Sequence, residues 1–475
     1  MRKVRSQTKI IATIGPATAS KEVLHEMIEE GVDVFRLNFS HSSREEHQIV
    51  INVINDLNYE LGTNIAILAD LQGPKLRIGE VENNSIELIE GETVKLISQQ
   101  CVGNKDRLYM SYAELSKDVQ IGDAILIDDG KVKLEVIETN RLDTVTTKVI
   151  YGGVLSSRKG VNLPNTLISL PSLTEEDKLN AIFAIENKVD WIALSFVRSA
   201  NDIIELKNLI AERNGTAGVI AKIEKPEALK DIDNIIEQSN AVMVARGDLG
   251  VEISFDQVPL IQKSIVNKCI ERSKPVIIAT QMMESMITNF RPTRAEANDV
   301  ANAVLDGADA LMLSAETSVG KYPALTIRCM QKIIDWTENN GFPYNREHVP
   351  QEKKLEFISD SICYHASNMA AQTKAKAIVA FSLTGYSAIK ISSHRPEADI
   401  FAFTNNKILL RKMSLVWGVR AYYCEDYVII NDAIDYSTKF LKEKELIAQG
   451  DVIIHIGSIP MFEKGYTNMI KLTYV

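Results

Sequence analysis

A lysine and a glutamate lie two residues apart inside an apolar segment that runs from Gly218 to Leu229, GVIAKIEKPEAL. In an extended strand, Lys222 and Glu224 point to the same face. Removing an ion from water costs on the order of several kcal/mol, so charges inside apolar strands are normally paired, bound to a ligand or catalytic. For an isolated segment, an edge strand with a solvated polar face is the simpler interpretation. The rest of the sequence has to decide between the two.

Short β-branched segments that end in polar or glycine residues recur eight times. They are TKIIATIGP (8–16), VDVFRLNFS (32–40), NIAILADLQG (64–73), VDWIALSFV (189–197), GVIAKIE (218–224), NAVMVARGD (240–248), KPVIIATQM (274–282) and ADALMLSAE (308–316). Helical segments separate most of them: Ser20 caps the first helix, and Ser42 with Glu45 is expected to form a capping box for the second. Fully apolar strands alternating with helices favour an α/β fold, a (β/α)8 TIM barrel.

In such a barrel, the active site lies at the carboxyl ends of the strands. The polar or glycine residues at those ends are Arg36, Asn38, Ser40, Asp70, Lys222, Glu224, Arg246, Gly247, Asp248, Thr280, Gln281, Ser314 and Glu316. Because so many polar strand ends converge on one mouth, chemistry explains Lys222 and Glu224 better than a solvated edge does.

The residue types at this mouth favour phosphoryl transfer. Glu224 and Asp248 offer the hard oxygen ligands that Mg²⁺ prefers, and Mn²⁺ could replace it. Lys222, Arg36 and Arg77 add positive charge, and no obvious nucleophile is present. Phosphoryl transfer depends mostly on positioning and charge neutralisation. Since no Walker A sequence occurs, a nucleotide would have to be held in another way.

The interval from Leu71 to about Leu170 interrupts the barrel pattern. Alternating segments such as SIELIEGETVKLI and DAILIDDGKVKLEVIE indicate a small β-barrel domain inserted after the third strand, and the barrel resumes with the helix at Thr174. Insertion at the active-site mouth favours a lid. A structural or oligomerising module is the alternative.

A polar linker, GFPYNREHVPQEKK, follows the last barrel helix. The helices and strands after it indicate a doubly wound α/β domain. The predicted boundaries are 1–70 and 171–342 for the two parts of the barrel, 71–170 for the insert, and 355–475 for the C-terminal domain, which is expected to be regulatory.

The composition disfavours several classes of partner. The formal net charge of −10 argues against a broad nucleic-acid or anionic-membrane surface. No run of about 18 apolar residues occurs that could span a membrane. The five cysteines are scattered without metal-ligand spacing, which is typical of reduced thiols and indicates a cytoplasmic protein.

Nine ordered segments resemble the pyruvate kinase family. They are KIIATIGPA, FRLNFSH, GPKLRIG, KGVNLP, AKIE, VARGDLGVE, ATQMMESM, RPTRAEANDVANAVLDGADALMLSAET and KYP. The resemblance runs from Thr8 to Tyr474. It implies conversion of phosphoenolpyruvate and ADP to pyruvate and ATP, the last ATP-forming step of glycolysis, by an allosteric enzyme that is usually a homotetramer.

The resemblance also implies roles for individual residues in the transfer itself. Lys222 would bridge the transferring phosphoryl group and steady the enolate that is left behind. Arg36 would bind phosphate. Glu224 and Asp248 would hold Mg²⁺ together with substrate oxygens.

A second group of residues is implied in carboxylate binding and proton transfer. Backbone N–H groups of Gly247 and Asp248 would meet the substrate carboxylate, and Thr280 would complete that contact near the face where the enolate is protonated. A threonine hydroxyl is too weak an acid to act alone, so we expect a water relay that involves Ser314 and Glu316.

The nucleotide is expected to meet four residues of the mouth and the insert, namely Asn38, His41, Arg77 and Lys159. Helix capping beside Ser42 is nearly as good an explanation of His41.

Many members of the family require K⁺, and four groups of this chain match its ligands: Asn38, Ser40, Asp70 and the carbonyl of Leu71. The K⁺-independent branch instead carries a lysine at the position of Lys75, with leucine and glutamine matching Leu71 and Gln72, as here. A tethered ammonium can supply the charge that K⁺ would bring, and it would repel a nearby K⁺. We therefore expect that K⁺ is not required.

The segment FSLTGYSA (381–388) resembles the effector loop of the family, with four candidate phosphate contacts: Ser382, Thr384, Gly385 and Ser387. Leu383 and Tyr386 replace basic residues of some relatives, so a monophosphorylated metabolite is expected rather than a doubly phosphorylated sugar. An ordinary capped turn is the alternative.

Two other functions stay open at this point. A lyase or mutase acting on a 2-oxo acid through a metal enolate would share Lys222, Glu224 and Asp248 but would need no lid. A non-catalytic regulatory homologue would be expected to have lost one of these three residues, and this chain has kept them all.

Overall fold

The computed structural model describes residues 6–475 apart from 165, 342, 347, 351–355, 426–428 and 461–466. The eight predicted barrel strands are present, and parallel pairing closes them into a ring in which the first strand neighbours the last. Their bounds are Lys9–Thr13, Val34–Asn38, Ala66–Asp70, Trp191–Leu194, Gly218–Ile223, Ala241–Ala245, Val276–Ala279 and Ala310–Leu313. We refer to them as barrel strands one to eight. The predicted TIM barrel is confirmed.

Helices surround the ring. Their bounds are Lys21–Glu30, Arg44–Leu61, Glu175–Glu186, Ala200–Glu212, Pro226–Lys230, Ile232–Gln238, Arg246–Glu252, Val258–Glu271, Arg294–Asp306, Ala315–Ser318 and Pro323–Gly341, with a 3-10 turn at Glu284–Ile287. The Ser20 cap is confirmed. The predicted capping box of the second helix is wrong by one residue: Ser42 has a φ of 66° and turns the chain, so Ser43 and Glu46 form the box instead.

Alternation along the strands produces two apolar cores in the barrel. One lies between the strands and the helices. The other lies inside the ring and includes Trp191, Met243 and Met312. Leu415 of the C-terminal domain belongs to this inner cluster, so that domain packs against the amino end of the barrel.

The insert is a separate, mostly-sheet domain with its own core, as predicted. Its strands are Ile86–Leu88, Thr93–Ile97, Arg107–Tyr109, Ala124–Ile127, Val132–Thr139, Thr144–Tyr151, Gly153–Leu155 and Val161–Asn162, with a helix at Leu115–Asp118 and a 3-10 turn at Glu82–Asn84. Hydrogen bonding divides these strands into a six-stranded and a two-stranded sheet. Isolated bridges, such as Arg77 to Gly160, add to these two sheets.

The C-terminal domain has a five-stranded sheet with four parallel strands and one antiparallel edge strand. In spatial order the strands are Val419–Tyr423, Asp399–Thr404, Ala377–Phe381, Val452–Gly457 and Met469–Tyr474. Its helices are Phe357–Thr373, Tyr386–Ser393, Lys407–Lys412 and Ile430–Glu443, with a 3-10 turn at Met413–Leu415. Apolar clusters on both faces confirm the doubly wound arrangement.

The two edge strands and the helix Ile430–Glu443 of this domain were not predicted from the sequence. Part of the predicted linker, at 342, 347 and 351–354, lies outside the described residues. Across the described part of the chain, no helix combines the length and apolar character needed to cross a membrane.

Candidate active site

A buried cluster of alternating charges lies at the carboxyl ends of barrel strands two, three and five. The Arg36 guanidinium donates to Asp70 Oδ2 through Nε at 2.7 Å, and its Nη2 lies 2.6 Å from the same oxygen. Lys222 Nζ lies 3.1 Å from Asp70 Oδ1 and 2.9 Å from Glu224 Oε1. All four residues are at most 9% exposed. Lys222 and Glu224 therefore share a buried face inside a closed ring and do not lie on a solvated edge.

The charges in this cluster shift one another's ionisation. Burial opposes ionisation of Asp70, but Lys222 and Arg36 outweigh it and lower the pKa of the carboxyl. Burial also disfavours the Lys222 ammonium, yet Asp70 and Glu224 raise its pKa above the ordinary lysine value. The pKa of Glu224 is raised, because burial and the nearby charge of Asp248 outweigh the attraction of Lys222. A divalent cation between Glu224 and Asp248 would relieve that repulsion.

Asp248 itself is exposed to the mouth and lies in the first turn of the helix Arg246–Glu252. Within the described ranges, no group of three or more histidine, cysteine or acidic side chains is arranged to hold a metal ion. Asp248 faces the mouth and Glu224 is buried near it, and two such carboxylates suit Mg²⁺, because this ion usually takes its other ligands from water and substrate phosphates. The residues present therefore fit the predicted Mg²⁺ site.

The turn after barrel strand seven ties together residues that the sequence assigned to the substrate carboxylate. Gly247 N–H donates to Thr280 Oγ1 at 2.7 Å, and the Thr280 hydroxyl donates to the Ala279 carbonyl at 2.6 Å. Thr280 has a φ of 70°, an unusual conformation for a β-branched residue. Arg246, one of the strand-end residues, pairs with Asp299 at 2.7 Å and donates to the Thr280 carbonyl. Its guanidinium thus braces this turn.

Glu316 is buried and accepts two backbone hydrogen bonds. The Ser314 N–H donates to Oε2 at 2.7 Å, and the Met283 N–H donates to Oε1 at 3.2 Å. The carboxylate therefore joins the turns that follow barrel strands seven and eight. Met282, Met283 and Met286 are fully buried in the core between the strands and the helices, and Met282 Sδ also accepts from the Arg246 guanidinium at 2.9 Å.

The loop after barrel strand two faces the start of the insert. Asn38 Oδ1 accepts from the Ser40 N–H at 3.1 Å, which fixes the turn that carries His41. Loss of water and the positive charges of Lys75 and Arg77 lower the pKa of His41. These residues are therefore close enough to form one basic side of the mouth.

Two other predicted groups already have protein partners. The Leu71 carbonyl accepts from the Ser195 hydroxyl at 2.6 Å. Lys159 Nζ lies 2.9 Å from Asp128 Oδ1 within the insert. Loss of water and the charge of Arg77 lower the pKa of Lys75, so this lysine lies within the same basic region.

Two residues of the site were missed from the sequence. Ser195 Oγ accepts from Lys222 Nζ at 2.7 Å, and the Phe196 N–H donates to Glu224 Oε2 at 2.7 Å. Both follow barrel strand four within the segment VDWIALSFV. A polar residue directly after an apolar strand is the signal that points to Ser195. A single serine at such a position is too common to indicate a function by itself.

Comparison with known proteins identifies the family. A family model described as pyruvate kinase, barrel domain, matches residues 5–327, and one described as pyruvate kinase, alpha/beta domain, matches residues 360–473. The chain belongs to the pyruvate kinase family. Pyruvate kinase of Agrobacterium vitis is 40% identical over 469 residues, with 98% of each chain covered. Pyruvate kinase of Corynebacterium glutamicum is 40% identical over 466 residues, covering 98% of this chain and 97% of the relative.

A solved structure gives the same result. A pyruvate kinase from Cryptosporidium parvum superposes with a TM-score of 0.92 at 34% identity and covers 99% of this chain and 96% of its own. Pyruvate kinases transfer the phosphoryl group of phosphoenolpyruvate to ADP, which is the reaction class that the charged mouth favours. A metal-enolate lyase or mutase is not favoured, because the family models and the full-length relatives are pyruvate kinases.

In this member of the pyruvate kinase family, the insert contacts the barrel beside the site. A cavity of about 80 Å³ lies between them and is lined by Lys75 and Asp248 among others. At its edge, Asn162 of the insert donates to Glu252 Oε1 at 2.9 Å, and Lys225 Nζ lies 2.7 Å from the same oxygen. The insert therefore borders the mouth of the barrel.

The loop that resembles the pyruvate kinase effector loop is internally hydrogen-bonded. Gly385, with a φ of 84°, donates its N–H to Ser382 Oγ at 2.9 Å, and the Tyr386 N–H donates to Thr384 Oγ1 at 3.4 Å. The Ser387 hydroxyl is buried and lies 3.3 Å from Thr467 Oγ1. The two N–H groups are thus already satisfied within the loop.

Proposed function

We propose that the barrel mouth transfers the phosphoryl group of phosphoenolpyruvate to ADP through the cluster around Lys222. The observation that carries this proposal is the burial of the Lys222 ammonium between Asp70 and Glu224 at the carboxyl ends of the strands. Such a fixed positive charge stabilises a transferring phosphoryl group without reorganisation during the reaction.

In this proposal, Lys222 donates to the phosphoryl group in transit, and Arg36 binds the phosphate while Asp70 orients its guanidinium. Glu224 and Asp248 hold Mg²⁺ or Mn²⁺. When bound, the ion neutralises charge on the phosphate oxygens and on the enolate oxygen. The raised pKa of Glu224 supports this assignment, because the two carboxylates repel each other without a cation.

The substrate carboxylate is assigned to the backbone N–H groups of Gly247 and Asp248 and to the Thr280 hydroxyl. Because Gly247 and Thr280 bond to each other, substrate binding would replace that hydrogen bond with two bonds to the carboxylate. The enolate would then receive its proton through water from the side where Ser314 and Glu316 lie.

The nucleotide is assigned to the basic side of the mouth, at Asn38, His41 and Arg77, and to Lys159 of the insert. The lowered pKa of His41 supports this placement, because it reflects burial and, in addition, the neighbouring positive charges of Lys75 and Arg77 that a polyphosphate would neutralise. Lys159 would have to leave Asp128, which a movement of the insert as a lid could bring about.

The monovalent-cation site is assigned to Asn38, Ser40, Asp70 and the Leu71 carbonyl, with its function taken over by Lys75. Support comes from the position of Lys75, which lines the cavity between the insert and the barrel together with Asp248. We propose that the enzyme needs Mg²⁺ or Mn²⁺ but no K⁺.

The function is tested by incubating the purified chain with phosphoenolpyruvate, ADP and Mg²⁺ and quantifying ATP and pyruvate separately. Equal amounts of the two products are expected. Pyruvate without ATP would indicate a phosphatase or another enolate enzyme, and the absence of both would support a non-catalytic homologue. Either result would reject the proposal.

We also propose that the loop containing Ser382, Thr384, Gly385 and Ser387 binds a monophosphorylated metabolite. Support comes from its place at the start of the helix Tyr386–Ser393 and from its hydroxyl groups. Candidate sugar phosphates and nucleoside monophosphates should raise the thermal midpoint or sharpen the substrate response. If none does, the loop is an ordinary capped turn.

Three coarser proposals rest on the family and on composition. They are a homotetramer, a cytoplasmic location, and the domain boundaries 1–70, 71–170, 171–342 and 355–475. The described cysteines form no disulfide with one another, which supports a reducing compartment. Light scattering tests the first proposal.

A further inference from the structure

Ser195 forms a short bridge between two parts of the mouth. It lies directly after barrel strand four and is 1% exposed. Its Oγ is 2.7 Å from Lys222 Nζ and 2.6 Å from the Leu71 carbonyl oxygen. A hydroxyl has one hydrogen, a carbonyl only accepts and an ammonium only donates. The Ser195 hydrogen therefore points to Leu71, and a lone pair of Oγ receives Lys222.

This bridge fixes the Lys222 ammonium beside its two carboxylate partners. Ser195 Oγ accepts a hydrogen bond from Lys222 Nζ at 2.7 Å, while Asp70 Oδ1 and Glu224 Oε1 lie at ion-pair distances of 3.1 and 2.9 Å. Ser195 is the uncharged member and makes the shortest contact. With only the two carboxylates as partners, the ammonium could shift between them. It would move toward the one whose negative charge is less neutralised by Arg36 or by a metal ion. A third, neutral contact removes that freedom.

Ser195 lies in one of two turns that pack tightly against each other, the turns after barrel strands three and four. Phe196 has a φ of 54°, and its N–H donates to Glu224 Oε2 at 2.7 Å. Gly73 has a φ of 70°, and a Cβ added there would lie 2.6 Å from the Phe196 ring and 3.0 Å from Ser195 Cβ. The turn after barrel strand three is therefore pressed against the turn after barrel strand four. Two consecutive residues, 195 and 196, hold both Lys222 and Glu224.

We infer that Ser195 is a positioning residue for phosphoryl transfer, which holds the Lys222 ammonium in place by linking it to the Leu71 carbonyl. The inference rests on the proposed role of Lys222. Ser195 touches neither substrate nor metal in this account. It acts through Lys222, so its loss should slow the transfer step and leave substrate affinity nearly unchanged.

The test compares Ser195→Ala, Ser195→Cys and a matched control, Ser239→Ala. Ser239 is also fully buried, and its hydroxyl donates to the Ile235 carbonyl at 2.6 Å, but it precedes barrel strand six at the amino end. We expect kcat to fall about 10- to 100-fold in Ser195→Ala with both KM values within about threefold of the parent. Ser239→Ala should keep the parent kcat.

The cysteine variant separates positioning from space filling. Sulfur fills a similar volume but is a weak acceptor, so kcat should stay low in Ser195→Cys. Adding Ser195→Ala to Lys222→Met should cause no further loss, because the group being positioned is gone. A parent-like kcat in Ser195→Ala, recovery in Ser195→Cys, or an undiminished loss in the Lys222→Met background would each overturn the inference. A parent that forms no ATP would instead overturn the proposed function.

Discussion

The two ends of the barrel use acidic and amide side chains in different ways. At the amino end, the residue before each even-numbered strand accepts from an N–H group of the odd-numbered strand that precedes it in the chain. The four pairs are Asp33 with Ile10 at 3.0 Å, Asp190 with Ile67 at 2.8 Å, Asn240 with Val219 at 3.0 Å and Asp309 with Val276 at 3.0 Å. The same device occurs four times around the ring.

At the carboxyl end, Asp70 and Glu224 instead accept from or pair with the charged side chains that line the mouth. Asp70 contacts Arg36 and Lys222, and Glu224 contacts Lys222. A strand N–H cannot leave without disrupting the sheet, whereas an ammonium or guanidinium can exchange a carboxylate for a phosphate oxygen. From this comparison we propose that the amino-end side chains stabilise the ring, whereas the acids at the carboxyl end position the cations that act on the substrate.

The largest expected effect is at the mouth. Lys222→Met keeps the aliphatic volume and removes the ammonium, so we expect kcat for ATP formation to fall by about 10³-fold or more. Circular dichroism should show an unchanged fold. Turnover within about tenfold of the parent would show that Lys222 does not carry the transfer.

The matching change at the amino end is Asp309→Asn. The Asp309 carboxylate accepts from the Trp417 N–H at 3.1 Å and pairs with Arg395 at 2.9 Å, and Arg395 is 2% exposed. Removing the charge leaves a buried guanidinium without its counter-ion. We expect the free energy of unfolding to fall by about 3 kcal/mol, measured by urea titration.

The kcat of Asp309→Asn should stay within about twofold of the parent, since the residue lies at the opposite end of the barrel from Lys222. A loss of activity in a stably folded Asp309→Asn would contradict the proposal that the amino end of the barrel serves stability and not catalysis.

A smaller effect is expected for the charge at Lys75. The parent should reach nearly full activity with Mg²⁺ and tetramethylammonium as the other cation. In Lys75→Glu, turnover should be reduced, and adding K⁺ should raise it about tenfold, because a carboxylate attracts the ion that the lysine repels. A parent that is nearly inactive until K⁺ is added would show that the four predicted ligands form a working K⁺ site.

The smallest effect concerns the pH dependence of stability through Asp190. Burial raises the pKa of this carboxyl to about 6, although Arg411 lies 3.0 Å away. In the unfolded chain the carboxyl titrates near pH 4, so its stabilising contribution is complete below about pH 4 and is lost as the pH rises through about 6. Asp190→Asn imitates the neutral carboxyl and keeps an acceptor for the Ile67 N–H.

Asp190→Asn should therefore become more stable relative to the parent as the pH rises from 4 to 7. The difference between their free energies of unfolding should increase by about 2 kcal/mol at most. Urea midpoints at several pH values measure it. A difference that does not change with pH would mean that Arg411 keeps Asp190 ionised throughout this range.

Much of the catalytic end could be predicted from the sequence because each strand is short, apolar and followed by a polar group. Lys222, Glu224 and Asp70 could be found in this way, and the structure brings them together. Ser195 shows the same signal as Ser314, a serine directly after an apolar strand, but nothing in the sequence pairs it with Lys222. The contact between Gly247 and Thr280 depends on a positive φ at Thr280, which a β-branched residue does not suggest.

The amino-end pattern was missed for a different reason. Asp33, Asp190, Asn240 and Asp309 each stand just before a strand, where the sequence offers turn formation as a sufficient explanation. Their actual partners are 21 to 123 residues away in the chain. In the C-terminal domain, VRAYY and MIKLTY were missed as strands because edge strands mix charged and apolar residues.

The most direct measurement is a rapid-quench single turnover with labelled phosphoenolpyruvate and ADP, run in parallel on the parent, Lys222→Met and Asp309→Asn at a temperature at which all three are folded. The account predicts labelled ATP at the parent rate in Asp309→Asn and a transfer rate lower by about 10³-fold in Lys222→Met. Equal rates in the parent and Lys222→Met, or an equal loss in both variants, would contradict the claim that the cluster at the carboxyl ends carries the chemistry.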